Sequence, residues 1–488
     1  MTRNRFFALV VLLFTVTLFS GVVSAQATYH ESPELTAKVT AGELPPVEER
    51  LPENPMVVEP VDSVGVYGGI WHRAWRGIND FHAFGRIVYD PVLRWPRNPS
   101  DPIQPGLADT WSFSEDGKEL TLHFRKGLKW SDGEPFTVDD VLFWWEAIEN
   151  DTNITSAVHA EWMVGGAPME LEKIDENTIK LKFAAANGLA ETVGLAFHGN
   201  QWPLGFERFG FYAPKHYLEQ FHPKYSDTGS YEVFEEKASD YNIDRPVMTA
   251  WKITQYEAGT TLVVADRNPY YWRVDPDGNQ LPYIDSVYLH FVDDTAGVNA
   301  MGVAGQLSMQ ARAIDLAQYP VYQQNAEAGN YHMLLWPQAQ ASAASLWFNQ
   351  SYADEKYRTL FQDLRFRKAM SHAIDRDTIN QVAFLGQGTP QTITVVPDSP
   401  LYIPEIANID GEYDAAQATA LLDEIGLIKG ADGFYTFADG SELLLQIETS
   451  NTGTGVGDTL ELIAQWWNEI GVKTEVEVET RDAYWPRA

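Results

Sequence analysis

Asp275-Pro276-Asp277-Gly278-Asn279 gathers side-chain oxygens of the kind a calcium ion takes. An EF-hand loop sets its glycine and its distal glutamate at fixed positions, and neither stands at that spacing here, so Asp, Pro and Gly read as a turn. The eleven histidines are spread out with no close ligand pair, and His82, His159, His198 and His216 read as hydrogen-bonded structural residues. The chain has no cysteine, which removes thiol nucleophiles, zinc–thiolate sites and disulfides. HExxH, GxSxG and GxxxxGK[ST] are all missing from the sequence. A glycosidase needs two carboxylates at a set separation, and 68 Asp and Glu single out no pair. No cofactor and no metal are expected. The chemistry left is recognition: 16 Trp, 22 Tyr and 24 Phe build a core first, and flat apolar faces for sugars or peptides second.

The elements that would position such faces belong to an exported globular protein. Arg3 and Arg5, an apolar run from Phe6 to Phe19, and the small residues Val23-Ser24-Ala25 and Ala25-Gln26-Ala27 mark residues 1–27 as a cleaved signal peptide. That run is shorter than the ~20 residues of a membrane span. The formal charge of −33 becomes −33 − 2 = −35 once Arg3 and Arg5 are removed, which argues against nucleic acid and anionic membrane surfaces as partners. With 488 residues and 44% hydrophobic content, two or three domains are expected.

Residues 28–56, rich in Pro and Glu, read as an extended lead-in. A strand is expected at Ile70–Trp75, followed by a polar loop. Leu120, Leu122 and Phe124 alternate with polar residues as in a half-buried strand. Thr137 and Asp140 have capping-box spacing ahead of a helix carrying Val141, Phe143, Trp144 and Ile148. Further strands are expected at Thr178–Phe183, Leu262–Asp266, Ser286–Val292, Tyr331–Leu335 and Leu346–Phe348. Phe361–Val382 and Tyr413–Ile425 read as helices. Leu443–Glu448, Thr459–Ile470 and Val472–Val478 form a strand–helix–strand unit, which predicts a parallel pair.

Three stretches carry a resemblance. "PGLADTWSFSEDGKELTLHFRKGLKWSDGEPFTVDDV" (Pro105 to Val141), "LWFNQ" (Leu346 to Gln350) and "FQDLRFRKAMSHAIDRDTI" (Phe361 to Ile379) are similar, in order, to segments of the family 5 extracellular solute-binding proteins of bacterial ABC importers. "RNPYYW" and "LPYIDSVYLHF" match more weakly in the right places. The chain departs from the family where Val247-Met248-Thr249-Ala250-Trp251 replaces a Gly-Thr-Gly-Pro turn. It departs again where Gly305-Gln306-Leu307-Ser308 lacks an acid after the Gly-Glu-Ile position. Both departures bear on substrate subclass more than on fold.

The resemblance implies an α/β, two-lobed periplasmic-binding-protein-like (type II) fold with an extra subdomain inserted in lobe I. Lobe I would take 57–80 and 204–291, the inserted subdomain 81–203, and lobe II 292–488. The resemblance also implies that lobe II is incomplete at its C-terminal end, "RDAYWPRA". The implied role is that of a periplasmic monomer that captures an oligopeptide or oligosaccharide between its lobes and hands it to permease subunits. Ligand contacts would come from loops at strand ends: Trp75, Asn79, Asp80 and His82 after the first strand, and Trp336 and Gln338 in a second run. Trp75 or Trp336 would stack on the ligand; Asn79 and Gln338 would hydrogen-bond it. Trp130, Trp144 and Trp145 would be scaffold. A secreted carbohydrate-active enzyme is the alternative that the acidic, aromatic composition also suits.

Overall fold

A computed structural model describes residues 28–488 apart from 78–79, 81–83, 99, 204–208, 337–341, 343, 393, 451–455, 480–483 and 485–488. The expected signal peptide therefore lies outside the described residues. Among those described, no helix is long and apolar enough to cross a membrane. The chain divides into two compact units, Met1–Trp71 with Phe81–Leu289, and His72–Asp80 with His290–Ala488.

In the first unit the lead-in is helical rather than extended: α1 spans Pro33–Thr40 and α2 spans Val47–Arg50. Ser32 caps α1 by accepting the Leu35 N–H, and Pro33 supplies the fixed φ that suits a first helical position. Strand β1 forms as expected at Ile70–Trp75, with Ile70 and Trp71 in this unit and the rest in the second. The alternating run becomes β3 (Glu119–Phe124), flanked by β2 (Ala108–Phe113). Helix α3 (Val138–Trp144) follows behind its capping box, in which Thr137 and Asp140 each accept the other's end of the turn. β4 (Glu170–Lys173) and β5 (Thr178–Lys182) complete an antiparallel sheet in the order β2-β3-β5-β4. Leu120 and Leu122 pair with Leu181 and Ile179, and all four are fully buried. Trp130, Trp144 and Trp145 are buried, as expected of scaffold.

β6 (Trp251–Gln255), β7 (Leu262–Arg267) and β8 (Ser286–Phe291) join β1 in a second sheet ordered β6-β7-β8-β1. The turn at 275–279 is closed by Asp275, whose carboxylate accepts the N–H groups of Asp277 and Asn279 at 2.9 Å, with Gly278 at φ +82°. His159, His198 and His216 each hydrogen-bond a carboxylate, those of Glu149, Glu161 and Asp132.

The second unit carries α4 (Thr295–Val303) and α5 (Tyr319–Gly329). The single helix expected over Phe361–Val382 lies within three: α6 (Glu355–Gln362), α7 (Leu364–His372) and α8 (Arg376–Ala383). The breaks fall where Asp363 and Asp375 turn their carboxylates onto the next helix's first N–H groups. α9 (Ala415–Glu424) precedes β9 (Leu444–Ser450), α10 (Val456–Glu469) and β10 (Lys473–Glu479), and β9 and β10 pair in parallel as expected. Phe366, Met370, Leu422, Leu460, Trp467 and Val472 centre this unit's own core. Tyr331–Leu335 and Leu346–Phe348, expected as strands, join no ladder.

Residues 72–80 and 290–291, placed with lobe I in the sequence reading, belong to the second unit. Hydrogen bonds are the cause: His72 accepts from Ser308, Ala74 donates to Gln310, and Asp80 pairs with Arg312.

Candidate functional site

Gly77 sits at φ +101°, and its carbonyl accepts the Asp80 N–H at 2.8 Å. Asp80 is thereby buried, with Oδ2 accepting the Arg76 N–H and Oδ1 accepting Nε of Arg312, both at 3.3 Å. Arg73 is buried nearby. Burial pushes its guanidinium pKa down, and the Asp80 carboxylate pulls against that shift.

Arg312 arrives on a ledge that runs beside β1. Ser308 N–H donates to the His72 carbonyl at 3.0 Å, and the His72 N–H donates to Ser308 Oγ at 3.1 Å. Ala74 N–H reaches Gln310 Oε1 at 3.3 Å, while Gln310 Nε2 donates to the Arg312 carbonyl at 2.8 Å. The far end is fixed by buried Asn299 of α4, which donates to the Ala313 carbonyl and accepts the Asp315 N–H, each at 3.0 Å. His72 and His290 meet ring to ring, Nδ1 to Nε2 at 2.9 Å. Burial, then the neighbouring His72, lowers the His290 pKa.

The ledge borders a cavity of about 2700 Å³ in the second unit, with Arg76, Ser308, Gln310 and Arg312 on its wall. Trp336 and Trp347 also line it and are 62% and 83% exposed. Pockets for single small molecules are typically ~300–1,000 Å³, so this is an open trough. Guanidinium and amide donors that line the same trough as flat exposed rings can hydrogen-bond and stack on an oxygen-rich ligand.

The expected site residues fare differently. Trp75 is 4% exposed and packs edge-to-face on Phe291 at 5.8 Å, so its ring is a packing group and not an open stacking face. Asp80 is an internal anchor for Arg312 rather than an exposed ligand group. Trp336 is exposed to the trough. Asn79, His82 and Gln338 lie outside the described residues. Sequence reasoning missed Arg76, Ser308, Gln310 and Arg312. One signal stood close by, the departure from the family pattern at Gly305–Ser308.

The family model "Bacterial extracellular solute-binding proteins, family 5 Middle" matches residues 102–488. A periplasmic alpha-galactoside-binding protein of Rhizobium meliloti (strain 1021) is 30% identical over 452 residues, covering 84% of this chain and 62% of its own. A probable ABC transporter-binding protein of Deinococcus radiodurans is 28% identical, covering 76% of this chain and 60% of its own. The chain thus spans about three fifths of the length of these curated relatives. Among solved structures, an oligopeptide-binding protein OppA aligns with TM-score 0.72 at 34% identity, over 94% of this chain and 73% of that one. The periplasmic binding protein MelB of Agrobacterium fabrum C58, in complex with stachyose, aligns with TM-score 0.69 at 27% identity, over 94% and 72%.

Proposed function

The chain belongs to the bacterial extracellular solute-binding proteins of family 5 and has their two-lobed α/β fold, and from that premise we propose that it is the substrate-binding component of an ABC importer. It captures an oligosaccharide or an oligopeptide in the periplasm and delivers it to permease subunits, as a monomer. The observation that carries this reading is the family match from residue 102 to residue 488. The names of the relatives divide the ligand classes: one binds alpha-galactosides, one was solved with stachyose, and the 34% identical structure is an oligopeptide binder. The exposed rings of Trp336 and Trp347 favour testing sugars first, because a pyranose offers a flat apolar face. Trp336 and the positions Asn79, His82 and Gln338 are the proposed contact region, with Asp80 and Trp75 packed behind it.

Binding in this reading makes and breaks no covalent bond. The alternative of a secreted carbohydrate-active enzyme draws no support from relatives that are binding proteins by name. Isothermal titration of the 488-residue chain with stachyose and with tetrapeptides, followed by chromatography of the recovered ligand, tests the reading. The expected result is saturable binding of one class with the ligand recovered intact. Progressive cleavage of the ligand would replace the binding role with an enzymatic one.

A further inference from the structure

Resting on the solute-binding reading, we propose that Arg312 is a ligand-recognition residue that grips a pair of acceptor oxygens, either a carboxylate or two neighbouring hydroxyls. Two buried scaffold arginines, Arg50 and Arg267, commit all three guanidinium nitrogens to protein acceptors. Arg50 donates to Pro45, Pro269, Gln280 and Glu31, and Arg267 to Pro282, Ser32, Tyr283 and Asp285. Arg312 commits only Nε, to Asp80, and its Nη1 and Nη2 hydrogen-bond nothing among the described residues.

The placement is built rather than incidental. The Asp80 side chain is 5% exposed while that of Arg312 is 38% exposed, so a buried carboxylate holds the root of a guanidinium whose fork stays accessible. Burying a carboxylate is costly unless it is paired and hydrogen-bonded, and Asp80 meets that condition through Arg312 and the Arg76 N–H. The ledge beneath Arg312 is tied to His72 and Ala74 on one side and to Asn299 on the other, which fixes the backbone that carries it. Arg312 lines the same trough as Trp336 and Trp347. A planar fork matches two oxygens attached to one or to adjacent carbons, and this geometry cannot be reproduced by an ammonium.

The test is isothermal titration of the 488-residue chain and its Arg312→Lys, Arg312→Gln and Asp80→Asn variants. The probes are stachyose, a tetrapeptide with a free C-terminus and the same peptide amidated. Arg312→Lys keeps a cation beside Asp80, so it preserves the fold and removes the fork; its Kd is expected to rise by about tenfold or more. Amidation mimics that loss if the gripped group is a carboxylate, and stachyose responds to Arg312→Lys if it is a diol. Asp80→Asn loses less affinity, and adding Arg312→Lys to it costs less than Arg312→Lys alone, because the two residues act as one unit. A Kd for Arg312→Lys within about twofold of the parent, on whichever probe the parent binds, overturns the inference while leaving the solute-binding reading standing. Failure of the parent chain to bind any of the three probes overturns that reading and this inference with it.

Discussion

Asp140 concentrates two opposed demands in one side chain. As the third residue of α3 it must be an acceptor: it takes the Thr137 N–H at 3.0 Å, the Lys215 N–H at 3.0 Å and the Trp130 indole N–H at 3.3 Å. It is also only 4% exposed, and burial pushes its pKa from 3.8 up to about 6 against those bonds. The folded state therefore holds the Asp140 proton more tightly than the unfolded chain does. Below about pH 4 both states are protonated and the group contributes no pH dependence. Between about pH 4 and pH 6 the unfolded chain ionises first, so stability falls as pH rises, by up to about 3 kcal/mol for a shift of this size. Asp140→Asn is expected to be less stable overall, since one N–H loses its acceptor at a cost of ~1–3 kcal/mol. Its urea-unfolding free energy should nevertheless decline less than the parent's across that window. Parallel pH curves for the two proteins would show that Asp140 titrates in the fold as it does in the open chain. Trp75 teaches a related lesson: the same residue type that can stack on a sugar is, with 4% exposure against Phe291, better employed as packing.

At the scale of elements, local signals fixed what local physics controls. The alternation of Leu120, Leu122 and Phe124, the capping box of Thr137 and Asp140, and the strand at Ile70–Trp75 were all legible because each depends on near neighbours. Helix α1 was misread because Pro and Glu were weighed as composition, although Ser32-Pro33 is a cap followed by a first-turn proline. Its cap predicts a measurable effect. Ser32 Oγ accepts hydrogen bonds from the Leu35 N–H at 3.3 Å and from Arg267 Nη1 at 2.5 Å, and Ser32 is 1% exposed. Ser32→Ala should thus cost a cap, ~1 kcal/mol, plus an unsatisfied buried donor, ~1–3 kcal/mol. Thermal melting followed by circular dichroism reads the sum; a shift no larger than an ordinary exposed cap gives would mean Arg267 finds another acceptor. The unpaired runs at 331–335 and 346–348 and the Arg312 ledge were illegible for the opposite reason. A strand needs a partner and the ledge needs His72 and Ala74, which stand 236 positions away from Ser308 and Gln310. No window along the sequence contains both sides of such a bond.

Over the whole molecule, charge sets a response that no single residue shows. The chain has 35 Lys and Arg against 68 Asp and Glu, so even complete pairing of every base would leave 68 − 35 = 33 acids without one. Two effects of salt then compete. Exposed ion pairs such as Lys126–Glu53 and Lys473–Glu442 weaken as salt screens them, but such pairs contribute only ~0–1 kcal/mol each. Repulsion among the surplus acids acts over longer distances: two charges ~10 Å apart in water repel by ~0.4 kcal/mol, and each acid has several such neighbours. The screening length shrinks from ~30 Å at 0.01 M salt to ~8 Å at 0.15 M, so the long-range repulsion is removed before the close pairs are. Unfolding spreads the surplus charge and relieves the same repulsion, which is why the compact state gains most from screening. The melting temperature is therefore expected to rise steeply from about 10 mM to about 150 mM NaCl and to level off beyond, since screening saturates. Exclusion of salt from the protein surface would instead raise it steadily to molar concentrations, most strongly with sulfate. Differential scanning calorimetry across that series separates the two shapes. A melting temperature that falls through the low-salt range would mean that the ion pairs outweigh the surplus of 33 acids.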